Sequence, residues 1–190
     1  MNNLLKWSSQ VSRWLAWIGG AALLLSAVLI SLDVVFRATM KVTFFESFEL
    51  SGYAFAIATA TGMSYALVSK AHIRIELLYV KLPEKWRAWM DVWSYGAMAV
   101  VTSVLFYWCS MTVLGNIQSG ARSNSSLAVP LAWPQALWLI GIAWLALVAA
   151  IYALFGLVKC LSGKHGEAHR QLGMASLEEE IDAEMSKGNS

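Results

Sequence analysis

Four stretches of this chain, residues 14–32, 50–69, 92–121 and 123–158, contain no Asp, Glu, Lys or Arg. The hydrocarbon core of a bilayer is about 30 Å thick, and a helix crosses it with roughly 20 apolar residues. Each stretch is long enough for one crossing. Inside lipid only a helix or a closed barrel satisfies every backbone polar group. The expectation is an all-α integral membrane protein with four transmembrane helices. Composition points the same way: 14% of residues are charged, against about 25% in soluble domains. The net charge of +2 is too small to suggest a nucleic-acid partner. The basic residues cluster beside the spans, where membrane lipids with anionic headgroups would meet them.

The first span is expected from Trp14 to Phe36, with Trp7, Trp14 and Trp17 on one side in the interfacial belt. Lys6 and Arg13 precede it as in a signal peptide, but the apolar run of about 19 residues exceeds the 7–15 of a cleaved signal. An uncleaved span is the better reading. Span two is expected to open on a capping box, Thr43-Phe44-Phe45-Glu46, and to run to Ser69. Pro83 suits the first position of span three, which Trp86, Trp89 and Trp93 would anchor at helical spacing. Span four should start at Pro134 after an extended segment, 129–134, and end near Val158. The chain thus divides into an interfacial N-terminal segment (1–13), a four-helix transmembrane domain (14–160) and a tail (161–190). That tail, rich in Gly, Glu, Lys and Ser, reads as mobile.

Lys and Arg are shared unevenly. The N-terminal segment, the second loop and the tail hold eleven of the fourteen; the first loop holds Arg37 and Lys41, and the third only Arg122. Under the positive-inside rule both termini are cytoplasmic.

Intramembrane ionisable residues are costly and therefore suggest function. Asp33, near the outer end of span one, is the single candidate, and Arg37 four residues on can pair with it. His72, His165 and His169 all fall outside the spans, which argues against haem ligation. Cys109 and Cys160 form no CxxC, so a metal site or disulfide framework is not indicated and packing is the plain reading. No HExxH, GxSxG or phosphate loop is present. No cofactor, metal or catalysis is expected, and the chain is read as not an enzyme. Gly19, Gly20, Gly52 and Gly62 are expected to permit close helix approach. By elimination the chain is an accessory to another polypeptide.

One region narrows that role. Asp33-Val34-Val35-Phe36-Arg37, then Phe45-Glu46-Ser47-Phe48-Glu49-Leu50, Gly62 and Lys70-Ala71-His72-Ile73-Arg74-Ile75-Glu76, with Pro130 and Trp133-Pro134 before span four, resemble the small membrane subunit of TRAP (tripartite ATP-independent periplasmic) transporters, the DctQ-like family. The resemblance runs over roughly 10–160. The family often sets two acidic residues side by side at the start of span two; here Glu46 and Glu49 are separated. The resemblance implies a bacterial inner-membrane location and two partners: a large sodium-coupled membrane subunit, and a periplasmic binding protein that delivers an organic acid anion. The small subunit would scaffold the first and help dock the second.

Arg37, Lys41, Glu46 and Glu49 would then form a periplasmic rim for partner contact. His72, Arg74 and Glu76, with Trp86 and Trp89, would meet headgroups or the large subunit at the cytoplasmic interface. The competing reading is a self-sufficient oligomeric four-span transporter or channel in which Asp33 is essential.

Overall fold

The computed structural model describes residues 2–41, 46–71, 82–125, 127–163 and 165–173. Five helices account for nearly all of them: α1 (Asn2–Met40), α2 (Ser47–Val68), α3 (Glu84–Ser119), α4 (Ala132–Leu161) and α5 (His165–Leu172). The described residues hold no strand, only an isolated antiparallel bridge between Arg122 and Pro130 in the α3–α4 loop. At 1.5 Å per residue α1 and α3 are about 58 and 54 Å long, far beyond the roughly 30 Å of hydrocarbon. The excess explains how one helix carries both an interfacial and a buried section: Trp86 and Trp93 stand exposed on the first turns of α3, and Trp14 and Trp17 within the first half of α1.

Of the described helices, α1, α3 and α4 are long and apolar enough to cross a membrane; α2, of 22 residues, carries more hydroxyl and small side chains. Packing accounts for the difference. Helix α2 lies between α1 and α4. Its buried hydroxyls turn back onto their own backbone, Thr61 donating to the Ile57 carbonyl at 2.8 Å and Ser64 to Thr61 at 2.9 Å. A helix flanked by protein on two sides tolerates such residues more readily than one facing lipid.

The helices form a row rather than a closed bundle. Neighbours pack in the order α1, α2, α4, α3, and α1 reaches α4 only marginally. That marginal contact is at the α1 N-terminus, where Trp7 meets Trp144 edge to face at 5.4 Å and Trp144 Nε1 donates to Ser12 Oγ at 3.0 Å. The buried seam of α1 is made of small and polar residues, Ser12, Gly19, Ser26 and Asp33, spaced seven apart. A seven-residue period keeps one face on the neighbouring helix, and small side chains allow the backbones to approach. A Cβ on Gly19 would stand 2.7 Å from Thr61 Oγ1, whereas Gly20, Gly52 and Gly62 have open space there. The expectation of close approach therefore holds at one of the four positions.

The main core surrounds α4 at the end opposite the close of α1 and the start of α2. Leu145, Val148, Tyr152 and Phe155 meet Leu67 of α2, Tyr95 of α3 and Leu172 of α5. Three boundaries differ from expectation. Glu46 is the N-cap residue of α2, so it does not occupy the third helical position of a capping box, and 42–45 lie outside the described residues. Pro83 is the N-cap of α3 rather than its first residue. Helix α4 begins at Ala132, which makes the extended approach end at Pro130. Pro134 fits the first turn because the N–H groups there have no intrahelical acceptor.

The near end of the tail also differs from the mobile segment expected. His165–Leu172 is a helix docked on α3 and α4, Leu172 is 1% exposed against Gly156, and Lys70 Nζ donates to the Gly173 carbonyl. Burial of one leucine and one charged hydrogen bond outweighs a helix too short to persist alone. Leu172→Ala should cost about 2–5 kcal/mol and release α5. Limited proteolysis would then cut faster after residue 163, with the protected core otherwise unchanged.

Candidate functional site

A group of bonded polar side chains lies where α1 ends, α2 begins and the α3–α4 loop returns. Asp33 occupies the last position of the α1 seam and is fully buried. Its Oδ2 accepts from Arg37 on the next turn and from Ser47 Oγ of α2 at 2.8 Å. The expected Asp33–Arg37 pair is present, but it is more than a helix-end contact, since it also fastens α2 to α1. Arg37 itself remains 57% exposed, so one face of the guanidinium looks outward.

In the first turn of α2, Glu49 makes a second fastening. Its carboxylate accepts from Tyr53 on its own helix and from Ser125 in the α3–α4 loop. Ser125 is 3.0 Å from Ser123, whose hydroxyl accepts from the Val129 N–H at 3.0 Å. Further bonds close the loop: Ser123 N–H to Val129 O at 2.8 Å, Leu131 N–H to Ala121 O at 3.0 Å, and Arg122 Nη1 to Ala128 O at 3.0 Å. Gly120 at φ +61° ends α3 with the left-handed residue that such a turn requires. On α3 and α4 behind it, Asn116 Nδ2 donates to Gln135 Oε1 at 2.8 Å.

The two fastenings give the rim an asymmetric charge. Asp33 is buried, Glu46 and Glu49 are half-buried with Glu49 bonded to the α3–α4 loop, and Arg37, Lys41 and Arg122 are exposed. Among the described residues no three His, Cys, Asp or Glu side chains are placed to hold a metal. Replacing Glu49 by Ala should free the 121–131 loop. Hydrogen exchange should rise there and at the head of α2, and Glu49→Gln, which keeps a carbonyl acceptor, should raise it less.

The structure places Arg37, Lys41, Glu46 and Glu49 at one end, and adds Ser47, Tyr53, Ser123 and Ser125, which the sequence did not single out. Trp86 and Trp89 are at the other end, where with Lys85, Met90 and Trp93 they line a cavity of about 420 Å³. His72, Arg74 and Glu76 lie outside the described residues. Asp91 was also missed, and it is fully buried in α3. It immediately precedes the charge-free run and so reads as an interfacial residue. The signal was its step of four to Tyr95 and three from Ala88, both buried.

Comparison with known proteins agrees with the resemblance drawn from the residues. The family described as tripartite ATP-independent periplasmic transporters, DctQ component, matches over residues 26–160. That span includes both fastenings, the rim and all of α2, α3 and the α3–α4 loop. No curated protein and no solved structure gives a match.

Proposed function

The chain belongs to the DctQ family, a component of TRAP transporters, and we propose that it serves as the subunit that braces the large permease. In this reading it moves no substrate itself. It holds the fixed part of a sodium-coupled partner in the inner membrane and helps receive a periplasmic protein that carries an organic acid anion. The observation that carries the proposal is the open row. Helices α1 and α3 end the row with one main neighbour each, and they present Leu25, Val28, Val100 and Trp108 outward, all more than half exposed. Such faces suit lateral contact with another membrane protein.

The proposed orientation places the rim of Arg37, Lys41 and Arg122 in the periplasm and both termini in the cytoplasm, following the distribution of Lys and Arg. Helix α2 then makes the fourth crossing, shielded by α1 and α4. Arg37, Lys41, Glu46 and Glu49 act at the binding-protein side. His72, Arg74, Glu76, Trp86 and Trp89 act at the cytoplasmic side, on headgroups or the large subunit.

Reconstitution tests this directly. The chain alone in liposomes should give no sodium-driven uptake of any organic acid, and co-expression with a large permease should recover both as one complex. Uptake by the chain alone would overturn the bracing role and favour the self-sufficient transporter.

A further inference from the structure

Two cavities lie end to end along one face of α1. The first, about 470 Å³, is bounded by Lys6, Ser9 and Gln10 of α1, Val68 of α2, Tyr152 of α4 and Gln171 of α5. The second, about 750 Å³, opens at Arg13 and Tyr65 and continues over Ala16, Gly20, Leu24 and Ala27. Lys6, Gln10, Arg13, Trp17, Gly20 and Leu24 follow one another in steps of three and four, which keeps them on one helix face. The groove is therefore polar at one end, cationic at its waist and apolar beyond.

Three features define what would fill it. Gln171 Oε1 is buried and accepts no hydrogen bond from the protein; a buried acceptor left unmet is costly, so an occupant with an N–H or O–H donor is favoured there. Lys6 and Arg13, either side of Gln10, call for an anion. The trough from Arg13 to Ala27 rises about 21 Å along the helix, close to half of a bilayer about 40–45 Å thick with its headgroups. A molecule with a donor, an anion and a chain one leaflet long is a phospholipid.

We propose that this groove binds one anionic phospholipid with a hydroxyl-bearing headgroup, of the phosphatidylglycerol type. Its phosphate sits between Lys6 and Arg13, a headgroup hydroxyl donates to Gln171 Oε1, and an acyl chain lies along Ala16, Gly20 and Ala27. Phosphatidylcholine has the phosphate and chains but no donor for Gln171. Phosphatidylethanolamine has a donor, but carries it on an ammonium that Lys6 repels. A helix of another protein over the trough would leave the donor and anion sites unfilled. The proposal requires a bilayer and does not depend on the part the chain plays in a transporter.

The test is native mass spectrometry of the full-length chain in detergent with equal amounts of phosphatidylglycerol and phosphatidylcholine. One retained phosphatidylglycerol is expected, favoured about tenfold, the factor one buried hydrogen bond supplies. Gln171→Leu should bring that ratio close to one. Lys6→Gln combined with Arg13→Gln should lower retention of both lipids. Equal retention of the two by the unaltered chain would overturn the proposal, as would a ratio that Gln171→Leu leaves unchanged. Free glycerophosphoglycerol should fail to displace the lipid; displacement at equal concentration would reduce the site to a headgroup pocket and overturn it.

Discussion

Gly141→Leu is expected to separate α2 from α4 and to abolish recovery of a folded chain from the membrane. Gly141 faces α2 so closely that a Cβ there would lie 2.9 Å from the Ala60 carbonyl carbon, 2.9 Å from its Cβ and 3.1 Å from the Thr61 nitrogen. Two of these atoms are backbone, and no rotamer change relieves the clash. Even Ala must push the helices apart, which costs about 1–3 kcal/mol by overpacking, against a gain of up to about 1 kcal/mol in helix propensity. The clash wins for Ala and wins by more for Leu. Because α2 is the link between α1 and the rest of the row, the damage extends beyond one contact. Gly62→Ala supplies the contrast: with nothing within 4 Å of its added methyl, it should be neutral or slightly stabilising. Thermal melts in detergent with gel-filtration profiles would separate the two, and a monodisperse, normally stable Gly141→Leu chain would refute the close α2–α4 packing.

The glycines also mark how far the sequence could be read. Charge-free runs located the long helices because lipid tolerates no charge at low cost, and that constraint acts on one segment at a time. Which glycine meets a neighbour depends on the spatial order of the helices, and the order α1, α2, α4, α3 has no local signature. Gly19 was singled out alongside three that face open space, while Gly141 and Gly156 passed as ordinary span residues. The rim was legible for the same reason as the spans, since Asp33, Arg37, Glu46 and Glu49 stand out where charge is scarce. Their partners Ser47, Ser123 and Ser125 did not, because a serine in a loop or helix head is common and only the fold says which carboxylate it reaches. Leu172 shows the reverse error. A short polar stretch beyond the last span reads as tail, and a single buried leucine over Gly156 converts part of it into structure.

Asp33 gives the second large effect, and the one that divides the two functional readings. Its carboxylate is fully buried at the end of the α1 seam and joins Arg37 to Ser47 across two helices. Asp33→Leu removes the acceptor for both. The Ser47 bond is buried, whereas Arg37 is 57% exposed, so water can replace most of what the guanidinium loses. The main loss is the bond from the helix-bridging hydroxyl to a charged acceptor, about 1.5–3 kcal/mol. Asp33→Asn keeps an acceptor for Ser47 and should cost less. For a bracing subunit, both variants should lower the yield and thermal stability of the complex with the large permease in that order. Uptake per assembled complex should remain near normal, with its sodium dependence unaltered. A transporter that used Asp33 to couple an ion would behave in the opposite way: Asp33→Asn would assemble fully and carry nothing. Measuring uptake and complex yield on the same membranes for both substitutions distinguishes these outcomes, because the first reading ties lost flux to lost assembly and the second uncouples them.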